Sequence, residues 1–290
     1  MTVTERRGGV GAYLAERYLP VYPVYLTLWV VAVESMTVVL GGGGPWRPTW
    51  DTLWKVLALI AAGAFLRMVD DQKDLAYDRT HNPSRPLVQG RISGGELRQA
   101  MWPTAALALT LASAVSLSAT ALLATALGYG LVLWWAEPRT AWLRDNPLAA
   151  LAVVCPAQFL VTGFMMVGQP GLDLRALAVP LVFTSAFLHL EFARKTSRSA
   201  AVRDPHSYSQ MLGPRASAVT AWAFGLFAVL LAILLTGNPL PLATVALPCV
   251  SAWIFFTREP ADHPRSWPTV FVVVFYLSIL VQGLLHTKGA

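Results

Sequence analysis

Apolar stretches of about twenty residues recur along nearly the whole of this 290-residue chain. Each is long enough to cross, as a helix, a hydrocarbon core about 30 Å thick. Hydrophobic residues make up 55% of the sequence and charged residues only 13%, which excludes an ordinary soluble domain. We therefore predict an all-α integral membrane protein, a bundle of about nine transmembrane helices forming a single domain over residues 1–290. The predicted spans are 19–40, 52–69, 100–118, 119–136, 147–168, 175–193, 217–236, 239–257 and 267–286.

Basic residues predict how these spans are oriented, because lysines and arginines in short loops stay on the cytoplasmic side. They precede the first predicted span and follow the second, fourth, sixth and eighth, whereas the alternate loops carry only Arg47 and Arg175. We expect a multi-pass protein of the cell membrane with its N-terminus and these basic loops in the cytoplasm. The net charge of +6 is then a signal of topology and of contact with the lipid bilayer, and no nucleic acid is expected as a partner. The basic residues are Arg6, Arg7, Arg17, Lys73, Arg79, Arg85, Arg91, Arg98, Arg139, Arg144, Arg194, Lys195, Arg198, Arg203, Arg215, Arg258 and Arg265.

The segment after the second predicted span carries four aspartates within nine residues. Asp70, Asp74 and Asp78 are spaced by four, so a helix that continues for two more turns would place them on one face. Asp71 would lie on the flank of that face. Carboxylates this close repel one another unless a cation sits among them, and magnesium prefers a few carboxylates, waters and phosphate oxygens. The segment therefore predicts a magnesium site for a diphosphate, made by Asp70, Asp71, Asp74 and Asp78.

Arginines flank this cluster on both sides. Arg67 lies one turn before the first aspartate, and Arg79 and Arg85 follow the last one. Arginine binds phosphate oxygens in a bidentate manner, so we predict that these three side chains bind the diphosphate. Pro83 and Pro86 then end the helix. The alternative is a helix end that simply carries solvated charge where it leaves the membrane.

A second charged segment follows the sixth predicted span. Its residues Glu191, Arg194, Lys195 and Arg198 are spaced by three, four and seven from the first, so they share one helical face. We predict that Glu191 presents a carboxylate to a metal and that the three cations bind phosphate. The alternative is a positive-inside anchor in which Glu191 pairs with Lys195 at i,i+4.

With these two segments the chain resembles the UbiA superfamily of intramembrane prenyltransferases, which have nine transmembrane helices and aspartate-rich motifs after the second and sixth. The family's first motif is Asn-Asp-x-x-Asp-x-x-x-Asp followed by Arg-Pro-Leu-x-x-Gly-x-Ile-Ser. Asp70 stands at the leading Asn. The remaining positions are met by Asp71, Asp74, Asp78, Arg85, Pro86, Leu87, Gly90, Ile92 and Ser93. The resemblance implies that the aspartates are catalytic and hold Mg²⁺ on the diphosphate of a polyprenyl donor.

The second motif of the family is divergent in this chain. The family has an aspartate at the helix end and a later Asp-x-x-x-Asp, where this chain has Glu191, Arg198 and Ala201. A lysine common after the fourth helix in the family is replaced around Pro138 and Arg139. The resemblance gives Glu191 the catalytic and metal-binding place of the missing aspartate. These departures leave open an unusual acceptor, a cyclisation reaction or loss of activity.

The resemblance implies a magnesium-dependent prenyltransferase that ionises geranyl, farnesyl or geranylgeranyl diphosphate and transfers the prenyl group to an aromatic or other lipophilic acceptor. Capture of the cation by the substrate's own double bonds would instead make the chain a terpene cyclase. A hypothesis from a different class is a non-enzymatic membrane transporter that uses the aspartates as a cation site. The acidic residues lie at a predicted membrane boundary, which favours the enzyme.

Overall fold

A computed structural model describes residues 8–198, 207–257 and 266–287. Arg6, Arg7, Ala201, Arg203, Arg258 and Arg265 lie outside these ranges. The α-helices are α1 Val10–Arg17, α2 Val21–Leu40, α3 Trp50–Lys73, α4 Leu75–His81, α5 Gly94–Ser113, α6 Leu117–Ala136, α7 Ala141–Asp145, α8 Pro147–Met166, α9 Val179–Arg194, α10 Tyr208–Leu212, α11 Pro214–Thr236, α12 Ala246–Thr257 and α13 Ser266–Leu285. Short 3₁₀ turns lie at Glu137–Arg139, Leu174–Ala178 and Leu240–Thr244.

Eight helical segments in the described ranges are long and apolar enough to cross a membrane. These segments are Val21–Leu40, Trp50–Lys73, Leu117–Arg139, Pro147–Met166, Leu174–Arg194, Pro214–Thr236, Leu240–Thr257 and Ser266–Leu285. They confirm the predicted all-α membrane protein and coincide with eight of the nine predicted spans. The remaining prediction, 100–118, falls on α5, which begins six residues earlier with a polar turn containing Glu96 and Arg98 and ends at Ser113.

Two compact units make up the chain, and the first comprises residues 1–30 and 49–141. In this unit α3 packs against α5 and α6, and α1 lies against α5. Small residues allow the close approach of α3 and α5, because their buried faces include Ala58, Ala62, Ala108 and Ala112. The start of α5 is fixed by a capping box, in which Ser93 Oγ accepts from the Glu96 N–H at 3.1 Å and Glu96 Oε2 accepts from the Ser93 N–H at 2.7 Å.

The ends of α3 and α6 lie together in this unit. Lys73 Nζ, in the last turn of α3, is 3.0 Å from Glu137 Oε2, in the 3₁₀ turn that follows α6. The chain leaves this end through α4 and returns to it along α6, so α5 must carry it to the opposite end of the unit. With 20 residues, α5 is about 30 Å long and equals the spanning helices in length. This geometry supports α5 as a further crossing despite its polar first turn.

The second unit comprises residues 31–48 and 142–290. Within it α9 contacts α8, α11 and α13. Aromatic contacts join α9 to α13, with His189 4.8 Å from the ring of Phe271 and Phe183 5.2 Å from the ring of Tyr276. α9 and α11 approach so closely that a Cβ added at Gly225 would lie 2.9 Å from His189 Nδ1. This unit carries Glu191 at the C-terminal end of α9.

Candidate functional site

The helix that carries the four aspartates is interrupted at Asp74. α3 ends at Lys73 and α4 begins at Leu75, while Asp74 has φ −86° and ψ 4°, outside the helical region. Backbone hydrogen bonds nevertheless continue through the break, from the Asp74 N–H to Asp70 O at 2.9 Å and from the Asp78 N–H to Asp74 O at 2.8 Å. The predicted spacing of four is therefore kept, but the four side chains enter two different environments.

Asp71 is buried and surrounded by hydrogen-bond donors. Its Oδ2 accepts from Tyr13 Oη at 3.0 Å and Arg17 Nε at 2.9 Å, and its Oδ1 accepts from Arg17 Nη2 at 2.9 Å and Arg67 Nη2 at 2.5 Å. Arg85 Nη1 lies 3.9 Å from Oδ1. Burial raises the pKa of Tyr13, and the charge of Asp71 raises it further. Burial lowers the pKa of Arg17, but the hydrogen bonds and charge of Asp71 outweigh that effect and raise it overall.

Asp78 is the second buried carboxylate of this group. Its Oδ2 accepts from Arg85 Nη1, and its Oδ1 accepts from Asn82 Nδ2 at 2.9 Å. Asn82 and Arg85 lie in the loop that leads from α4 to α5, so Asp78 fixes that loop to the end of α4. Asp71 and Asp78 are thus both paired with arginines in this structure.

Asp70 and Asp74 lie on the open side of the cluster, with side chains 53% and 35% exposed. The Oδ1 atom of each is 3.8 Å from Lys73 Nζ. Burial raises the pKa of Asp74 to about 6; the charge of Lys73 opposes this shift, and those of Asp70, Glu137 and Asp78 add to it. Asp74 therefore lies close to several negative charges, and the Lys73 ammonium group lies near Asp74, Asp70 and Glu137.

A magnesium ion fits the open pair of carboxylates by its chemistry. The two carboxylates already converge on one cationic group, Lys73, and Mg²⁺ commonly uses one or two carboxylates together with waters and substrate phosphates. No group of three or more His, Cys, Asp or Glu side chains in the described ranges is close enough to enclose a metal ion. The donor set is therefore an open one, which Asp70 and Asp74 would supply and phosphate oxygens and waters would complete.

The three predicted phosphate ligands are placed differently. Arg67 donates from Nη1 to Tyr22 Oη at 3.1 Å in addition to its bond with Asp71, and Arg85 is shared by Asp71 and Asp78. Arg79 is exposed on α4. Arg67 and Arg85 therefore border the acidic cluster, and the structure holds both against carboxylates.

Glu191 in the second unit is buried and paired with two of the three cations predicted to share its face. Its Oε1 is 2.8 Å from Lys195 Nζ, and its Oε2 is 2.5 Å from Arg194 Nη2. Tyr208 Oη donates to Oε1 at 3.5 Å, and Lys195 Nζ lies 5.3 Å from the Tyr208 ring centroid. Burial raises the pKa of Tyr208, and the charge of Glu191 raises it further. These contacts include the i,i+4 pair that was the alternative interpretation of the segment.

Arg198 contacts an aromatic ring of α12. Its guanidinium is 5.2 Å from the centroid of the Phe255 ring, an arginine–aromatic arrangement. The structure therefore brings Arg194 and Lys195 to Glu191 and directs the Arg198 guanidinium to α12.

Sequence reasoning missed four residues that the structure joins to the aspartates. Tyr13 and Arg17 come from α1, and Lys73 and Glu137 come from the ends of α3 and α6. A signal existed for the first pair, because Tyr13 and Arg17 are spaced by four on a short helix that precedes the first span. The spacing predicts that they share a face, but nothing in it identifies Asp71 as their partner.

Comparison with solved structures identifies the fold. The chain superposes on digeranylgeranylglyceryl phosphate synthase with a TM-score of 0.63 and 15% identity, covering 94% of this chain and 97% of that one. A UbiA homolog from Archaeoglobus fulgidus bound to GPP and Mg²⁺ gives 0.60 and 18%, covering 90% and 99%. A UbiA homolog from Aeropyrum pernix K1, in its apo form, gives 0.61 and 16%, covering 88% and 96%.

No protein-family model and no curated protein matches the chain significantly. The structural likeness nevertheless covers about nine-tenths of the chain and nearly the full length of each solved structure. The chain therefore has the fold of the UbiA superfamily.

Proposed function

We propose that this chain is a magnesium-dependent intramembrane prenyltransferase that ionises a polyprenyl diphosphate and transfers the prenyl group to an aromatic or other lipophilic acceptor. One observation carries the proposal. At the end of α3, two open carboxylates, Asp70 and Asp74, adjoin arginines that are held against Asp71 and Asp78. A metal diphosphate needs both kinds of group, because its metal takes carboxylate oxygens and its phosphates take guanidinium groups.

The comparisons support the nature of the substrate. Structures of a UbiA homolog from Archaeoglobus fulgidus were solved with GPP and Mg²⁺ and with DMAPP and Mg²⁺, on the fold that this chain shares. An allylic diphosphate has an apolar tail and an anionic head, which suits apolar helices that end in a charged cluster. We propose geranyl, farnesyl or geranylgeranyl diphosphate as the donor for this chain.

In the proposed reaction the chain's residues bind the diphosphate leaving group and stabilise its negative charge. Arg67, Arg79 and Arg85 would donate hydrogen bonds to the diphosphate, whose charge rises as the allylic carbon–oxygen bond breaks. Bound magnesium would add Lewis-acid stabilisation of the same oxygens. Asp70 and Asp74 would be its ligands as they stand, and Asp71 and Asp78 would join them once their arginine partners turn to the diphosphate. A preorganised cluster of this kind lowers the barrier because its groups need not reorganise as charge develops.

Glu191, Arg194, Lys195 and Arg198 form the second part of the proposal, with Glu191 as a metal ligand and the cations as phosphate ligands. Glu191→Gln should then raise the magnesium concentration that half-maximal diphosphate release requires. If Glu191 serves only to pair Arg194 and Lys195, the same substitution would lower thermal stability and leave the magnesium requirement unchanged.

The first experiment measures pyrophosphate release by the detergent-purified protein given each of the three donors with magnesium. Asp71→Ala and Asp74→Ala should each lower the rate by about a hundredfold or more, since each removes a carboxylate proposed to hold the magnesium that stabilises the leaving group. Asp173→Ala is the matched control, because Asp173 is an exposed aspartate that pairs with nearby Arg175.

Product analysis separates transfer from cyclisation. Release of pyrophosphate that yields a prenylated phenolic acceptor supports transfer, whereas a cyclic hydrocarbon formed without acceptor identifies a terpene cyclase. The departures at Glu191 and Arg198 from the family's second motif are the reason for including the second assay. No release with any donor, with or without phenolic acceptors, would refute the enzymatic proposal.

A further inference from the structure

Helix α1 contacts Asp71 through the side chains of Tyr13 and Arg17. We propose that Arg17 is a diphosphate-binding residue which, before substrate binds, acts as the counter-ion of Asp71. In this proposal, which rests on the proposed function, Asp71 passes to magnesium as Arg17 passes to the diphosphate. Metal and diphosphate should therefore bind cooperatively.

Asp71 has no lone pair left for a metal in this arrangement. A carboxylate offers about four acceptor positions. All four are used, by Tyr13 Oη, Arg17 Nε, Arg17 Nη2 and Arg67 Nη2, at distances between 2.5 and 3.0 Å. A metal ion can reach this carboxylate only if at least one of these donors leaves. Arg17 donates two of the four hydrogen bonds, so its departure frees half of the acceptor positions of Asp71.

Arg17 needs another anion when Asp71 is taken from it. Its side chain is only 19% exposed, and removing the partner of a largely buried charge is strongly unfavourable. An incoming diphosphate supplies the replacement, and the same planar group that binds a carboxylate in a bidentate manner binds phosphate equally well. Magnesium alone brings no such anion. The exchange is therefore favourable only when metal and diphosphate arrive together.

The rest of α1 is anchored independently of Asp71. Glu16 Oε2 is 2.6 Å from Arg91 Nη1, and Glu16 Oε1 is 2.9 Å from Arg91 Nη2. Arg91 belongs to the loop before α5, so this bidentate pair fixes α1 beside the cluster. Tyr18 Oη, just after α1, donates to Ile60 O on α3 at 2.6 Å. Arg17 can thus change partner by moving its side chain while α1 keeps its place.

The test measures Mn²⁺ binding to the detergent-purified full chain by electron paramagnetic resonance, with and without inorganic diphosphate. Arg17→Gln should raise Mn²⁺ affinity in the absence of diphosphate by about tenfold, because it frees two acceptor positions on Asp71. The same variant should weaken the effect of diphosphate on Mn²⁺ affinity. Tyr13→Phe frees one position and should raise Mn²⁺ affinity by a smaller factor.

Arg98→Gln is the matched control, since it removes the same charge from an exposed site on α5 and leaves Asp71 untouched. Its effect on Mn²⁺ affinity measures the long-range electrostatic contribution alone. Lower Mn²⁺ affinity in Arg17→Gln and Tyr13→Phe would mean that α1 merely holds Asp71 in place for the metal. A change in Mn²⁺ affinity in Arg17→Gln equal to that in Arg98→Gln would mean that Asp71 is not involved. Either result overturns the exchange while leaving the prenyltransferase proposal intact. Failure of the unaltered protein to bind Mn²⁺ even with diphosphate would refute both.

Discussion

Asp74 is the residue whose ionisation should govern magnesium binding near neutral pH. Its pKa is raised to about 6, first by burial and then by the charges of Asp70, Glu137 and Asp78. A protonated carboxyl is a poor metal ligand, so protons compete with magnesium below that pH. The magnesium concentration for half-maximal diphosphate release should therefore rise between pH 7.5 and 5.5, by up to roughly tenfold for each pH unit below the pKa.

Glu137→Gln provides a specific control for this pH dependence. The charge of Glu137 raises the pKa of Asp74, and its loss also leaves Lys73 freer to approach Asp74. The inflection in the magnesium requirement should therefore move to lower pH in this variant. In Asp74→Asn the inflection should disappear and the requirement should stay high throughout. An inflection near pH 6 that survives in Asp74→Asn would show that another group is responsible.

At the scale of elements, the packing of α3 depends on two glycines whose neighbours differ in mobility. A Cβ at Gly63 would lie 2.6 Å from Tyr18 Oη and 2.7 Å from Leu26 Cδ1, and Tyr18 is held by its bond to Ile60 O. A Cβ at Gly130 on α6 would meet only the end of the Leu66 side chain, at 2.7 Å. Leu66 can move aside more easily than a tyrosine fixed by a hydrogen bond.

Gly63→Ala should consequently lower the thermal stability of the purified protein, whereas Gly130→Ala should leave it unchanged or raise it slightly. Each glycine-to-alanine substitution gains about 1 kcal/mol of helix propensity. The difference in melting temperature between the two variants therefore reports only the steric contact of the added Cβ. Because Tyr18 follows directly after α1, Gly63→Ala should also weaken the placement of Arg17. Equal melting temperatures for the two variants would contradict this account.

The helices were predictable where a local sequence pattern specifies them. The apolar stretches predicted nine spans, eight of which coincide with helical segments long and apolar enough to cross a membrane, and the spacing of Asp70, Asp74 and Asp78 predicted a turn of helix between each pair. The break at Asp74 has no such signal, because the residues around it carry no proline or glycine. Two partners of Asp71, Arg17 and Tyr13, lie 54 and 58 residues away along the chain. Such pairings depend on how α1 packs beside α3, which a single sequence does not specify.

On the scale of the whole molecule, the number of crossings determines which loops share a side of the membrane. Composition identifies eight candidate spans in the described ranges, and α5 adds a ninth only through its geometry. The Lys73–Glu137 contact requires the ends of α3 and α6 to lie together, which two crossings between them would produce. The positive-inside pattern independently predicts that the loops after α3 and α6 lie on one side.

Cysteine labelling in intact cells tests this topology. Cys155 and Cys249 would be replaced by alanine, and single cysteines would be introduced at three exposed positions, Thr80 on α4, Ala114 after α5 and Ala141 after α6. If α5 crosses the membrane, an impermeant maleimide should label Ala114→Cys and spare the other two until the cells are opened. If α5 stays on one side, Thr80→Cys and Ala114→Cys would behave alike and Ala141→Cys would differ. In that second case the end of α6 would be separated from the end of α3 by the bilayer, and the charges that raise the pKa of Asp74 could not include Glu137. Labelling therefore tests the electrostatic account of Asp74 together with the number of spans.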